Sequence, residues 1–266
     1  MIETSRFEDV VQIRMSRMID GVPAYWVAAY LVDGLLIDTG CSYTAEELAA
    51  YLGGRKVDTI INTHFHEDHI GGNHLIKEMF KAELYAHPES IPLIGKEAFL
   101  HPYQEMVWGY PVPTEAKPIP GVIEAGRFRY EVLETPGHSA GHVCLFEKDK
   151  GWCFSADIFS RETLKFIRPE EDMGQTVRSM KRLLDLETER LILLTSVGKI
   201  IEDGRGALRG CIDYLEDLSA RAKGLKNQGY IMEEIMQKLF GGEHDFARFT
   251  NGQYTTDNLV RSVLEM

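Results

Sequence analysis

A chain of 266 residues, 44% hydrophobic and 26% charged, carries enough apolar mass for a substantial buried core, which excludes a disordered or low-complexity protein. A formal net charge of −12 repels phosphate backbones from the average surface and argues against a nucleic-acid partner. No apolar run reaches the roughly 18 residues of a membrane span, and four cysteines without a C-x-x-C pair suit a reducing compartment. With no apolar segment near Met1, the expectation is a cytoplasmic protein without a membrane partner.

Residues 8–16 and 24–32 read as strands. Asp33-Gly34, between Val32 and Leu35, is a two-residue hairpin signal, and the next strand, 35–38, ends on the carboxylate of Asp38. Thr44-Ala45-Glu46-Glu47 has the spacing of a capping box and opens a helix to Leu52, stopped by Gly53-Gly54. A strand at 57–62 leads into a loop and then a helix from about Gly72 to Lys81, followed by a short strand at 83–87. This rhythm predicts an α/β fold with helices outside packed sheets.

Residues 88–120 break the rhythm with Pro88, Pro92, Pro102, Pro111, Pro113, Pro118 and Pro120, interleaved with Phe99, Tyr103, Trp108 and Tyr110. Such a segment is either a lid or an aromatic plug on the core; a lid would imply a substrate whose non-reacting part is apolar. Strands resume at 128–133, 142–146 and 152–156, with a turn at 148–151. His138 follows the Pro136-Gly137 bend, His142 opens a strand and Asp157 ends one. Helical periodicity over 170–186 precedes a strand at 191–194.

From Asp203 onward the apolar residues fall on helical faces, first Leu208, Cys211, Ile212, Leu215 and Leu218, later Leu259, Val260 and Val263. The chain divides into 1–202 and a helical C-terminal appendage, 203–266, free to cap the site, bind a partner or make an oligomer contact.

The chemistry is concentrated at Thr63-His64-Phe65-His66-Glu67-Asp68-His69-Ile70-Gly71-Gly72-Asn73. Alternation along a strand exit points His64 and His66 the same way, Asp68 and His69 follow at the turn, and Gly71-Gly72 permits close backbone approach. So many Lewis bases are costly to gather unless a cation satisfies them. His74, His87, His101 and His244, by contrast, read as surface or core-satisfied residues.

With Asp38-Thr39-Gly40 upstream, Thr135-Pro136-Gly137-His138-Ser139-Ala140-Gly141-His142 downstream, and then Ala156-Asp157, the string resembles the metallo-β-lactamase superfamily, most of all its glyoxalase II-type hydrolases. The matches span residues 30 to 160, and the order of elements continues to about 200. The resemblance implies a four-layer αββα sandwich and two adjacent metal sites. His64, His66 and His138 would hold the first ion, Asp68 and His69 the second, with Asp157 bridging. Asp38 would support the metal loop without ligating, and His142 would hydrogen-bond beside the first ion. The implied reaction is attack on a carbonyl by a metal-activated hydroxide, with Asp68 as the catalytic residue that orients it and takes its proton.

One position departs from the family. A His usually closes the second site after the strand at 191–194, whereas this chain reads Leu194-Thr195-Ser196-Val197-Gly198-Lys199, with Val197 at the expected place. Three arrangements follow: two metals with water or a remote ligand, a single ion, or His244 reaching in from the tail. The expectation is one tightly bound zinc and a second that is weak or absent, with iron or manganese as alternative metals. The leading function is hydrolysis of a small-molecule thioester, ester or lactone, with antibiotic hydrolysis disfavoured as the main activity. The rivals are a mononuclear iron oxidoreductase resembling persulfide dioxygenases, with His64, His138 and Asp157 as its triad, and a decayed metal-binding protein.

Overall fold

The computed structural model describes residues 1–266. Val27–Val32 shows why its apolar run is unbroken: Ala28, Tyr30 and Val32 enter the core between two sheets, while Val27, Ala29 and Leu31 enter the core outside the first sheet. A strand covered on both faces needs apolar residues at every position. The same alternation recurs in Trp152–Ala156, where Trp152 and Phe154 face inward and Cys153 faces the outer helices.

The first sheet has seven strands in the order Ile2–Phe7, Val10–Met15, Val27–Val32, Leu35–Ile37, Thr59–Ile61, Glu83–Ala86 and Lys117–Pro118. The second has six: Val122–Ala125, Phe128–Glu134, Val143–Glu147, Trp152–Ala156, Ile192–Thr195 and Ile200–Ile201. Helices Ala45–Leu52 and Asn73–Phe80 cover the first sheet through Leu48, Leu52 and Ile76. Met173–Leu184, Gly204–Asn227, Met232–Phe240 and Thr256–Glu265 cover the second through a shared cluster that includes Met180, Leu208, Leu215 and Val260. The result is a four-layer αββα sandwich whose C-terminal helices lie in the outer layer. None of the helices is long and apolar enough to cross a membrane.

Several boundaries differ from the sequence expectation. The run 8–16 belongs to a hairpin, Ile2–Phe7 with Val10–Met15, because Glu8 adopts a positive φ of 51° and turns the chain. The strand expected over 24–32 begins only at Val27, and the one over 57–62 is confined to Thr59–Ile61. Thr44 caps Ala45–Leu52 without a capping box: its hydroxyl donates to the Cys41 carbonyl instead of accepting from the helix. Asp68 and His69 lie in a short helix, Glu67–Ile70, and the irregular 88–120 segment contains helices Ile91–Ile94 and Pro102–Val107.

Both sheets direct strand ends to one edge. Leu35–Ile37 and Thr59–Ile61 run parallel and finish beside Asp38 and the His64 loop. Trp152–Ala156 and Ile192–Thr195, also parallel, finish at Asp157 and Ser196. Two backbone bonds stitch the sheets there, Val143 N–H to the Thr63 carbonyl at 2.8 Å and Ala28 N–H to the Ser196 carbonyl at 2.6 Å.

Candidate metal centre

Asp38 organises the loop that carries the imidazoles. Its carboxylate accepts from the Thr63 backbone and hydroxyl, both at 2.8 Å, and from His69 Nδ1 at 2.7 Å. The residue is buried and holds a left-handed φ of 60°, a conformation that costs energy and persists where surrounding contacts enforce it. Gly71 then passes so close to the Cys41–Ser42 backbone that a Cβ would lie 2.2 Å from Ser42 N. The close approach expected of the glycine pair is therefore made against the Asp38 loop. On the other sheet, Gly137, at φ 141°, packs against Thr176 with room for no side chain and sets the bend that delivers His138.

The donors converge from residues 64 to 157. His64 Nε2 lies 3.0 Å from His66 Nδ1, which lies 2.9 Å from His138 Nε2. Asp157 Oδ2 stands 3.4 Å from His64 Nε2, 3.7 Å from His138 Nε2 and 2.8 Å from His69 Nε2. Two groups of three ligand atoms emerge, His64 with His66 and His138, and His64 with His69 and Asp157. Ligands placed tetrahedrally at about 2.0–2.1 Å around one ion stand about 3.3 Å apart, close to the separations of the first group.

The outer nitrogens fix the tautomers. His138 Nδ1 donates to Glu171 Oε2 at 3.1 Å and His69 Nδ1 donates to Asp38, so each ring turns its Nε2 toward the centre, where a bound cation would take the place of a proton. His142 Nε2 accepts from the Asp157 backbone N–H at 3.2 Å, which puts its proton on Nδ1, facing Thr135 Oγ1 at 2.8 Å. His142 thus holds the Asp157 backbone while its own ring stays out of both donor groups.

The electrostatics fit a cation. Burial, reinforced by neighbouring imidazoles, pushes His64 well below the usual His pKa; burial and Arg168 do the same to His66. Both therefore present neutral lone pairs at hydrogen-bond distance from other lone pairs, an arrangement that a Lewis acid resolves. His69 goes the other way. Burial opposes its protonation, yet Asp38, Asp68 and Asp157 together hold it well above its ordinary value. Its Nε2 has no hydrogen-bond partner of proper geometry although Asp157 Oδ2 is 2.8 Å away. Asp157 stays ionised despite burial because His138, His69 and the Ser196 hydroxyl stabilise its charge. Asp68, buried with Glu67 and Asp157 nearby, is pushed up to about 6.

Asp68 is peripheral: its Oδ2 is 3.8 Å from His69 Nε2, and it belongs to neither three-atom group. Where the chain lacks the usual His, Ser196 Oγ donates to Asp157 Oδ1 at 2.5 Å. His244 does not come in from the tail. It is exposed, accepts from Phe246 N–H, and packs its ring 4.8 Å from that of Phe166.

Glu171, Ser196 and Arg168 went unnoticed in the sequence. Arg168 is 4% exposed, lies 3.3 Å from the buried Glu67 and donates to Tyr254 Oη at 2.8 Å. Gln104 donates to the same Glu67 oxygen at 2.8 Å. One buried network therefore ties the metal loop to the 88–120 segment and to the C-terminal region. Over the donors opens a cavity of about 630 Å³ whose lining includes His66, Asp68, His138 and Asp157.

The family model described as the metallo-beta-lactamase superfamily matches residues 27–195, well over half of the chain. The chain belongs to this superfamily. A hydroxyacylglutathione hydrolase of Rhizobium johnstonii is 32% identical over 148 residues, which cover 52% of this chain and 48% of that relative. The match thus spans about half of that relative's length. Among solved structures, a metallo-beta-lactamase family protein from Thermus thermophilus superposes with a TM-score of 0.70 at 20% identity, covering 97% of this chain and 93% of that one. TTHA1623, solved in a di-iron-bound form, has a TM-score of 0.55 at 26% identity and covers 69% of this chain and 93% of its own. Members of the superfamily bind metal ions, and the expected superfamily and fold are both found.

Proposed function

We propose that this protein is a metal-dependent hydrolase of thioester- or ester-type bonds. The observation that carries this is the convergence of His64 Nε2, His66 Nδ1, His138 Nε2 and Asp157 Oδ2 on one point at the floor of a cavity. These four residues would hold the first ion. His69, Asp157 and Asp68 would hold a second, weaker one. A set of imidazole and carboxylate donors without thiolate suits zinc, and also admits iron or manganese. Such a cation, when bound, lowers the pKa of water to about 7 and polarises a carbonyl.

The chain's own residues do the rest. Asp68, with a carboxyl near pKa 6, takes a proton from the attacking water and returns one to the leaving group. Glu171 and Asp38 keep His138 and His69 in the tautomers that face the centre. The apolar walls of the cavity keep bulk water from the reacting carbonyl. The test is elemental analysis of the purified protein, followed by a screen of thioesters, esters and lactones with that metal restored. Zinc with hydrolytic turnover supports the proposal; a protein that holds no metal under any loading condition overturns it.

The similarity to a protein solved in a di-iron-bound form is compatible with iron at these donors, and the second reading is a mononuclear iron oxidoreductase with His64, His138 and Asp157 as its ligands. Iron in the purified protein, with oxygen consumed on a persulfide and no hydrolysis, would establish it instead.

A further inference from the structure

The cavity above the donors is built for more than a small polar acyl group. Of its 30 lining residues, 18 are hydrophobic, and its volume of about 630 Å³ matches pockets that enclose whole drug-sized ligands. Its mouth is also unusually apolar for solvent-facing surface: Val22 is 61% exposed, Phe249 49%, and Tyr25 and Met106 39% each. Four large apolar side chains around one opening to a candidate reaction centre mark a surface that an apolar ligand would cover.

The charge at the same cavity is the second observation. Arg161 and Lys165 line it, are exposed, and make no ion pair or side-chain hydrogen bond, in a chain with 41 acidic and 29 basic residues. Asp20 is the one exposed acidic residue that lines it with them. A reacting carbonyl held at His66, His138 and Asp157 has two substituents to place. The apolar one gains by entering the cavity, whereas an anionic one would lose its hydration there and is better placed beside exposed cations.

We infer that the substrate is an acyl thioester with a long or aromatic apolar acyl group and an anionic thiol, the acyl group filling the cavity and the thiol's charge meeting Arg161 and Lys165. This inference rests on the hydrolase reading. Each methylene buried along the walls raises kcat/KM about threefold to fourfold until the cavity is full.

The metal-loaded full-length protein is assayed with acetyl, butanoyl, octanoyl and dodecanoyl thioesters, each made on coenzyme A and on the neutral thiol N-acetylcysteamine. Rates should climb from acetyl to at least octanoyl on both thiols. Phe249→Ser should lower the octanoyl-to-acetyl ratio at least about threefold. Arg161→Gln combined with Lys165→Gln should raise KM about tenfold for the coenzyme A series, with kcat retained, and leave KM unmoved for the neutral series. Arg161 and Lys165 are exposed and unpaired, and a thermal melt of Phe249→Ser, whose ring also stacks on Phe246, shows that this variant is folded. Rates flat or falling with chain length overturn the acyl assignment, and an equal KM change on both thiols overturns the anionic one. If an ester or lactone is hydrolysed but no thioester is, the thioester assignment is overturned and the hydrolase reading stands; if none of the three is hydrolysed, the hydrolase reading fails separately. Calorimetry with the non-hydrolysable dodecyl-coenzyme A thioether then decides the pocket: binding weakened by the double substitution supports it, and no binding overturns it.

Discussion

The two donor groups share His64 and one edge of the sandwich, with Asp157 Oδ2 beside both, yet they are not equally equipped. The first collects three imidazole nitrogens within about 3 Å steps, and Glu171 fixes His138 from outside. The second offers His69 Nε2, the same Asp157 oxygen, and Asp68 no closer than 3.8 Å to His69. Val197 stands at the position of the expected imidazole, and the hydroxyl of the adjacent Ser196 is spent on Asp157 Oδ1. Asp157 therefore presents one oxygen to both groups while its other is held by the backbone-anchored serine.

The largest expected effect comes from the stronger group. His138→Ala should remove the tightly held metal, read by elemental analysis, and lower turnover on the order of a thousandfold. His69→Ala should spare the tight equivalent, abolish the weak phase of a zinc titration, and lower turnover on the order of a hundredfold. If both variants lost the tight metal equally, the two groups would be one site and the comparison would collapse.

What the sequence made legible follows the same division. His64, His66, Asp68 and His69 lie within six positions, so local geometry alone announces a cluster. His138 and Asp157 became readable through a family resemblance whose motifs occur in order. Glu171 and Ser196 did not, because each acts across 30 or more residues and neither belongs to those motifs. Arg168 reaches Glu67 over 101 residues, and nothing local distinguishes it from a solvated surface arginine. The buried strands were visible as apolar runs because both faces are covered, but the turn at Glu8 was not, since a non-glycine residue carries its positive φ.

A middle-sized effect sharpens the role of the outer partners. Glu171→Gln keeps the shape of the contact but removes the charge that, together with Asp157, holds His138 above its ordinary pKa against the opposing effect of burial. Affinity for the tight metal should fall about 10–100-fold, read by competition with a chelator, while the weak phase is unchanged. An unchanged affinity would mean that Glu171 only pins the loop before Met173–Leu184.

The smallest effect separates His142 from the donors it sits among. Burial depresses its pKa to about 3, so it is neutral in the folded protein, whereas the unfolded chain protonates it near 6.5. Below pH 6.5 the unfolded state thus binds the extra proton, and stability falls as pH drops toward 3. His64 and His66 act in the same direction and His138 and His69 in the opposite one, but all four are common to the wild type and a His142→Gln variant. The difference between the two proteins, measured metal-free, isolates His142. At about pH 5.5, one unit below the unfolded value, this contribution is roughly 1.4 kcal/mol. His142→Gln should therefore lose about 3–6 °C less in Tm than the wild type between neutral pH and pH 5.5. Because the Gln carbonyl can still accept from the Asp157 N–H, tight metal stoichiometry should be kept. Loss of that metal in His142→Gln, to the extent seen in His138→Ala, would place His142 among the ligands and erase the distinction drawn between them.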